Sequence, residues 1–147
     1  MILPDAEATD AAGRMLAPVL QPGDVVALSG ALGAGKTSFA RGILAGLGLT
    51  EEAPSPSFAL VIPYAPPVVR LPVWHVDLYR LDSADEAEQL GLDDALFDSA
   101  LLIEWPERLG DRLWPEALKI TLEDAGSAGR RLTASVPPSW EARCPFR

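Results

Sequence analysis

The sequence predicts an α/β fold, a three-layer sandwich around a mixed, mainly parallel sheet that ends in an antiparallel hairpin. Three observations lead there. A short apolar run, Val25 to Leu28, is followed by a glycine-rich loop and then by apolar residues at helical spacing. Two more apolar runs, Val73 to Asp77 and Ala100 to Glu104, each close on a carboxylate. Finally, Leu118 to Glu123 and Arg131 to Val136 alternate in polarity around Asp124-Ala125-Gly126-Ser127-Ala128-Gly129, the pattern of two strands joined by a turn. The 147 residues form one domain, residues 1–147, and a hydrophobic fraction of 48% is enough for a sizeable core.

Taken in order, the elements begin with a helix capped by Thr9 or Asp10. Its apolar stripe is Ala12, Met15, Leu16 and Val19, and it stops at Gln21-Pro22-Gly23. The Val25–Leu28 run reads as a buried strand. Phe39, Ile43, Leu44 and Leu47 line the helix after the glycine loop, which Gly46 and Gly48 bring to an end near Leu49. Thr50 to Ser57 contains two prolines and reads as an exposed, restricted loop. Phe58 to Ile62 reads as a strand and Pro63 to Pro72 as a turn. Ser83 to Leu90 is a short helix with Ser83 and Glu86 as a capping box, followed by a second over Asp93 to Phe97.

The loop itself carries the chemistry. Gly30-Ala31-Leu32-Gly33-Ala34-Gly35-Lys36-Thr37 fits G-x-x-x-x-G-K-[ST], the phosphate-binding loop. A polyphosphate needs convergent donors and a backbone that approaches without a Cβ in the way, which Gly30, Gly33 and Gly35 allow. Lys36, one of two lysines, reaches the terminal phosphates as a point charge, and the Thr37 hydroxyl suits Mg²⁺. A glycine-rich turn in another α/β protein can match the motif by chance, but strand, loop and helix in this order are what phosphate binding requires. The fold expected is therefore P-loop NTPase-like.

Charge narrows the partners. A net charge of −9 and a pI near 4.5 oppose autonomous binding of RNA or DNA. Asp82 to Asp98 contains no Lys or Arg, and such a run is either a solvated helical face or a docking surface for a basic partner. The single cysteine, Cys144, forms no internal disulfide. With no leader-like start and no apolar run of about 20 residues, a cytoplasmic protein without a membrane span is expected.

ATP hydrolysis needs Mg²⁺ across the β- and γ-phosphates and an acidic group to hold the ion or its waters. Asp77 and Glu104 qualify, since each ends an apolar strand at the sheet edge where the loop sits. Spacing leaves open which of them ligates the metal. His75, on the same strand as Asp77, reads as a hydrogen-bonded structural residue.

These segments occur in an informative order: Leu28 to Phe39, Ser55-Pro56-Ser57-Phe58, His75-Val76-Asp77-Leu78-Tyr79-Arg80-Leu81 and Ile103-Glu104-Trp105-Pro106. The chain thereby closely resembles the TsaE family, bacterial ATPases of tRNA threonylcarbamoyladenosine biosynthesis, over about Pro4 to Val136. The resemblance implies an ATPase that works with TsaB and TsaD, meets tRNA only through that complex, and is not itself the transferase. It further implies that Gly33, Ala34, Gly35, Lys36, Thr37 and Ser38 cradle the phosphates of ATP. Thr37 and Glu104 would hold Mg²⁺, and Asp77 would be the Walker B-like acid. Lys36, Asp77 and Glu104 would serve catalysis. Arg130 matches a nucleotide-contacting arginine of the family's last hairpin, or is a surface arginine. Trp105 corresponds to a tryptophan beside the active site. Two departures stand out. Ser57 replaces the usual Thr of a switch-like loop, keeping the hydroxyl but losing the methyl that stiffens χ1, and Ala31 occupies a loop position where an acid is common.

Two other readings compete. A small P-loop kinase requires an arginine-rich lid, and the only adjacent pair is Arg130-Arg131. A nucleotide-gated binding module with little turnover fits an acidic protein that acts through partners. A GTPase is disfavoured, because no N-K-x-D element follows the loop.

Overall fold

The computed structural model describes residues 1–57 and 59–146. Its seven strands are β1 (Ile2–Leu3), β2 (Val25–Ser29), β3 (Val61–Tyr64), β4 (Val73–Asp77), β5 (Ala100–Glu104), β6 (Leu118–Asp124) and β7 (Arg130–Ser135). They form one sheet of order β1-β7-β6-β2-β5-β4-β3. The central four, β6, β2, β5 and β4, run parallel, while β7, β1 and β3 add antiparallel edges. The mixed sheet and the closing β6–β7 hairpin agree with the sequence reading.

Alternation explains the layers. On β2, Val26 and Leu28 face a core shared with α1 (Ala6–Leu16) and α2 (Lys36–Gly46), while Val25 and Ala27 face a second core. That second core is covered by α3 (Ala84–Glu88), α4 (Leu92–Ala95) and the 3-10 segment Pro106–Arg112. Leu102 against Leu101 and Ile103 repeats the division on β5. Both faces are buried, so the central strands read as continuous apolar runs.

Helices α1 and α2 pack backbone to backbone. A Cβ on Gly13 would lie 2.2 Å from the Phe39 carbonyl oxygen, and one on Gly42 would lie 2.2 Å from that of Asp10. The C-terminal segment then folds over this layer. Trp140 is buried, the Phe146 ring lies 6.1 Å from that of Phe39, and Arg143 makes a two-pronged ion pair with Asp24, at 2.6 and 2.8 Å.

Several boundaries differ from expectation. Asp5, not Thr9 or Asp10, caps α1: its carboxylate accepts from the Ala8 amide at 2.8 Å, and Thr9 is buried one turn into the helix. Met15 points to solvent and leaves the predicted stripe. The strand expected over 58–62 begins at Val61, because Leu60 adopts φ 67° and donates its amide to the Pro56 carbonyl at 2.7 Å, which keeps the chain in a turn. Phe58 lies outside the described residues. Pro63 sits within β3 because an edge strand leaves one side of its backbone unpaired. Ser83 does precede α3, but its side chain makes no capping hydrogen bond, so the capping box does not form. No helix among the described residues is long and apolar enough to cross a membrane.

Candidate nucleotide site

The glycine loop leaves β2 at the end where parallel strands deliver their last side chains, and α2 starts directly from it. Gly30 is required by close approach, since a Cβ there would meet the Leu122 carbonyl oxygen at 2.5 Å. Gly35, at φ 104°, turns the chain into α2 in a left-handed conformation that disfavours other residues. The amides at the start of α2 therefore point outward, a ready anion site.

Lys36 folds back over the loop. Its Nζ donates to the carbonyls of Gly30 at 2.5 Å and Ala31 at 2.9 Å, and lies 4.1 Å from the centroid of the Trp105 ring. Burial holds its ammonium below the ordinary lysine range, opposed by the negative field of Glu104, then Glu107 and Asp77.

The two predicted carboxylates come together. Asp77 and Glu104 are register partners at the ends of β4 and β5, and both are buried. Thr37 Oγ1 lies 2.9 and 3.0 Å from the two oxygens of Glu104. Asp77 accepts from the Tyr79 amide at 2.9 Å and from Ser57 Oγ at 3.3 Å, while Ser57 also bonds Ser55 Oγ at 2.8 Å. Lys36, Thr37, Ser38, Ser57, Asp77, Glu104 and Trp105 line one cleft of ≈ 240 Å³. Leu32, Gly33 and Gly35 also line it.

A second cleft of ≈ 270 Å³ lies across the loop, lined by Leu3, Asp5, Thr9, Ala34, Ser38, Gly129 and Arg130. Arg130 donates to the carbonyls of Ala34 at 3.2 Å and Gly33 at 3.0 Å, so the β6–β7 hairpin is tied to the loop. The predicted residues thus surround both sides of the glycine loop.

Sequence reasoning passed over two contributors. The β1 segment and the start of α1 wall the second cleft, though nothing local in Ile2 to Thr9 marks them as doing so. His75 is fully buried, and its Nε2 lies 2.7 Å from Glu104 Oε2. Strand phase held the signal, since His75 and Asp77 project to the same face. Two non-glycine residues adopt left-handed backbone nearby: Trp105 at φ 60°, which lines the cleft, and Leu60 at φ 67°, whose carbonyl accepts from the Asp77 amide at 2.9 Å. Such strain is concentrated at working sites.

A strand, a glycine loop with Lys and Thr at its end, a following helix and two strand-terminal acids beside it make this a P-loop-type protein. A family model described as "Threonylcarbamoyl adenosine biosynthesis protein TsaE" matches residues 3–132. The chain is 39% identical over 140 residues to tRNA threonylcarbamoyladenosine biosynthesis protein TsaE of Bacillus subtilis, covering 94% of this chain and 86% of that one. It is 41% identical over 114 residues to the protein of the same name from Streptomyces coelicolor, 77% of each chain. Among solved structures it resembles Bacillus subtilis YdiB, with a TM-score of 0.77, 33% identity and coverage of 94% of this chain and 85% of that one. The chain belongs to the TsaE family.

Proposed function

We propose that the 147 residues act as one domain that binds and hydrolyses ATP with Mg²⁺, as the ATPase component of the cytoplasmic machinery that makes threonylcarbamoyladenosine in tRNA. The observation that carries this reading is the meeting of Thr37 and Glu104, with hydroxyl and carboxylate 2.9 Å apart at the mouth of the glycine loop. The relatives' name supplies the pathway.

The donor set suits magnesium. One hydroxyl, one or two carboxylates and the substrate's own phosphates are the usual holders of Mg²⁺, which rarely occupies an all-protein cage. Among the described residues no cluster of three or more His, Cys, Asp and Glu side chains is arranged to hold a metal alone. Thr37 and Glu104 would hold the ion, which when bound neutralises charge shared by the β- and γ-phosphates. Lys36 leaves the carbonyls of Gly30 and Ala31 to pair with phosphate oxygens. The loop amides from Gly33 to Ser38 donate to the phosphates, and Asp77, held by the Tyr79 amide, orients the attacking water from the strand next to that of Glu104. Ser57 couples the 50–57 loop to Asp77 and so to the state of the γ-phosphate. The cleft between Thr9 and Arg130 receives the nucleoside.

The protein acts with TsaB and TsaD and meets tRNA only through them, in keeping with a net charge of −9. The experiment is phosphate release from ATP by the chain alone and with TsaB and TsaD. Turnover that rises when the partners are added supports the proposal, and an absence of ATP hydrolysis in their presence contradicts it.

A further inference from the structure

The geometry points to His75 as a positioning residue that fixes the Glu104 carboxylate for the metal, an inference that rests on the magnesium reading above. His75 stands in β4 between β3 and β5, register-paired with Ile62 on one side and Leu102 on the other. It is fully buried, as are the neighbouring side chains Val73 and Val76. A histidine buried for structure alone commonly uses both ring nitrogens, often on main-chain groups. Here Nδ1 has no partner among the described residues, and the hydrogen bond the ring makes is from Nε2 to Glu104 Oε2 at 2.7 Å. The arrangement that leaves no buried donor idle puts the ring hydrogen on Nε2, so His75 donates and Glu104 accepts.

The consequence lies in how the two oxygens of Glu104 are used. Oε2 receives His75, while the Thr37 hydroxyl sits against both oxygens, 2.9 Å from Oε1 and 3.0 Å from Oε2. A carboxylate with one oxygen held by a buried ring nitrogen is restrained about its terminal torsion. The free lone pairs of Glu104 are thereby kept on the side of Thr37. Partners that orient a metal's ligands in this way commonly contribute 10- to 100-fold to its affinity.

The test measures binding of a fluorescent, non-hydrolysable ATP analogue to the full chain, in EDTA and across a Mg²⁺ titration. His75→Leu removes the donor at similar size, His75→Gln keeps an amide donor near the Nε2 position, and His75→Asn keeps the amide but falls short of Glu104. We expect the Mg²⁺ concentration that half-saturates the binding response to rise about 10- to 100-fold in His75→Leu and His75→Asn. His75→Gln should recover most of the parent's response, and affinity in EDTA should stay within about twofold throughout. A parental Mg²⁺ requirement in His75→Leu overturns the inference. If that variant does not fold, equal Mg²⁺ requirements in His75→Gln and His75→Asn overturn it. A parent chain whose analogue binding ignores Mg²⁺ overturns the magnesium reading itself, and this inference with it, a result distinguishable from the variant outcomes.

Discussion

Lys36 lies over the Trp105 ring, its Nζ 4.1 Å from the ring centroid, while the same nitrogen is held by the carbonyls of Gly30 and Ala31. The lysine that would grip phosphate is therefore parked against the loop's own backbone and an indole. Trp105 is set there by a left-handed backbone at φ 60° and by the Tyr79 ring 4.8 Å away. A cation over an indole is worth about 0.5–2 kcal/mol.

When ATP draws the ammonium off the indole, the emission of Trp105 should change. Trp74, Trp114 and Trp140 do not line the phosphate cleft. Trp105→Phe is therefore expected to abolish the ATP-dependent change in tryptophan fluorescence while ATP still binds. A change that survives the substitution would contradict the arrangement.

Lys36 also gives stability a pH dependence. Burial lowers its folded value below 10.5, so the unfolded chain holds this proton more tightly. Between the folded value and 10.5, unfolding takes up a proton, and stability rises with pH. The unfolding free energy of the parent minus that of Lys36→Met should climb as pH approaches 10.5 in urea denaturation. A falling difference would contradict burial as the dominant cause.

Gly42→Ala should destabilise despite a helix-propensity gain of about 1 kcal/mol, because the added Cβ falls 2.2 Å from the Asp10 carbonyl oxygen. Parting α1 from α2 costs about 1–3 kcal/mol, to be read from the denaturation midpoint. An unchanged or raised midpoint would show that the helices give way easily.

The features legible in the sequence were those governed by local rules. The glycine loop, the apolar strands ending at Asp77 and Glu104, and the hairpin around Gly126 and Gly129 each carry their own periodicity or turn chemistry. What escaped was set at long range. The strand β1 is two residues long and exists through pairing with β7 across the whole chain. The strand β3 starts at Val61 because the turn at Leu60 overrides β-propensity. Asp5 outcompeted Thr9 as the cap because α1 begins earlier than its apolar stripe. Strand phase puts His75 on the face of Asp77, but its contact with Glu104 also required knowing that β4 and β5 are neighbours.

The C-terminal segment, which lies past the residues 3–132 that the family model matches, should matter for stability. Arg143 bonds both oxygens of Asp24 and stacks 3.8 Å over Trp140, and the hydrogen bond to Asp24 is the chief cause that raises its guanidinium further above its ordinary value. Arg143→Met should cost about 1.5–3 kcal/mol in chemical denaturation. A loss well below that would assign the segment's hold to Trp140 and Phe146 alone.

The most direct test of the central claim, that residues Gly30 to Thr37 grip ATP, is calorimetric titration of ATP with Mg²⁺ into the parent chain and into Lys36→Ala. Loss of one charged hydrogen-bonding group predicts a weakening of about 1.5–3 kcal/mol, roughly 10- to 150-fold in Kd. Equal affinity in the two proteins would contradict it.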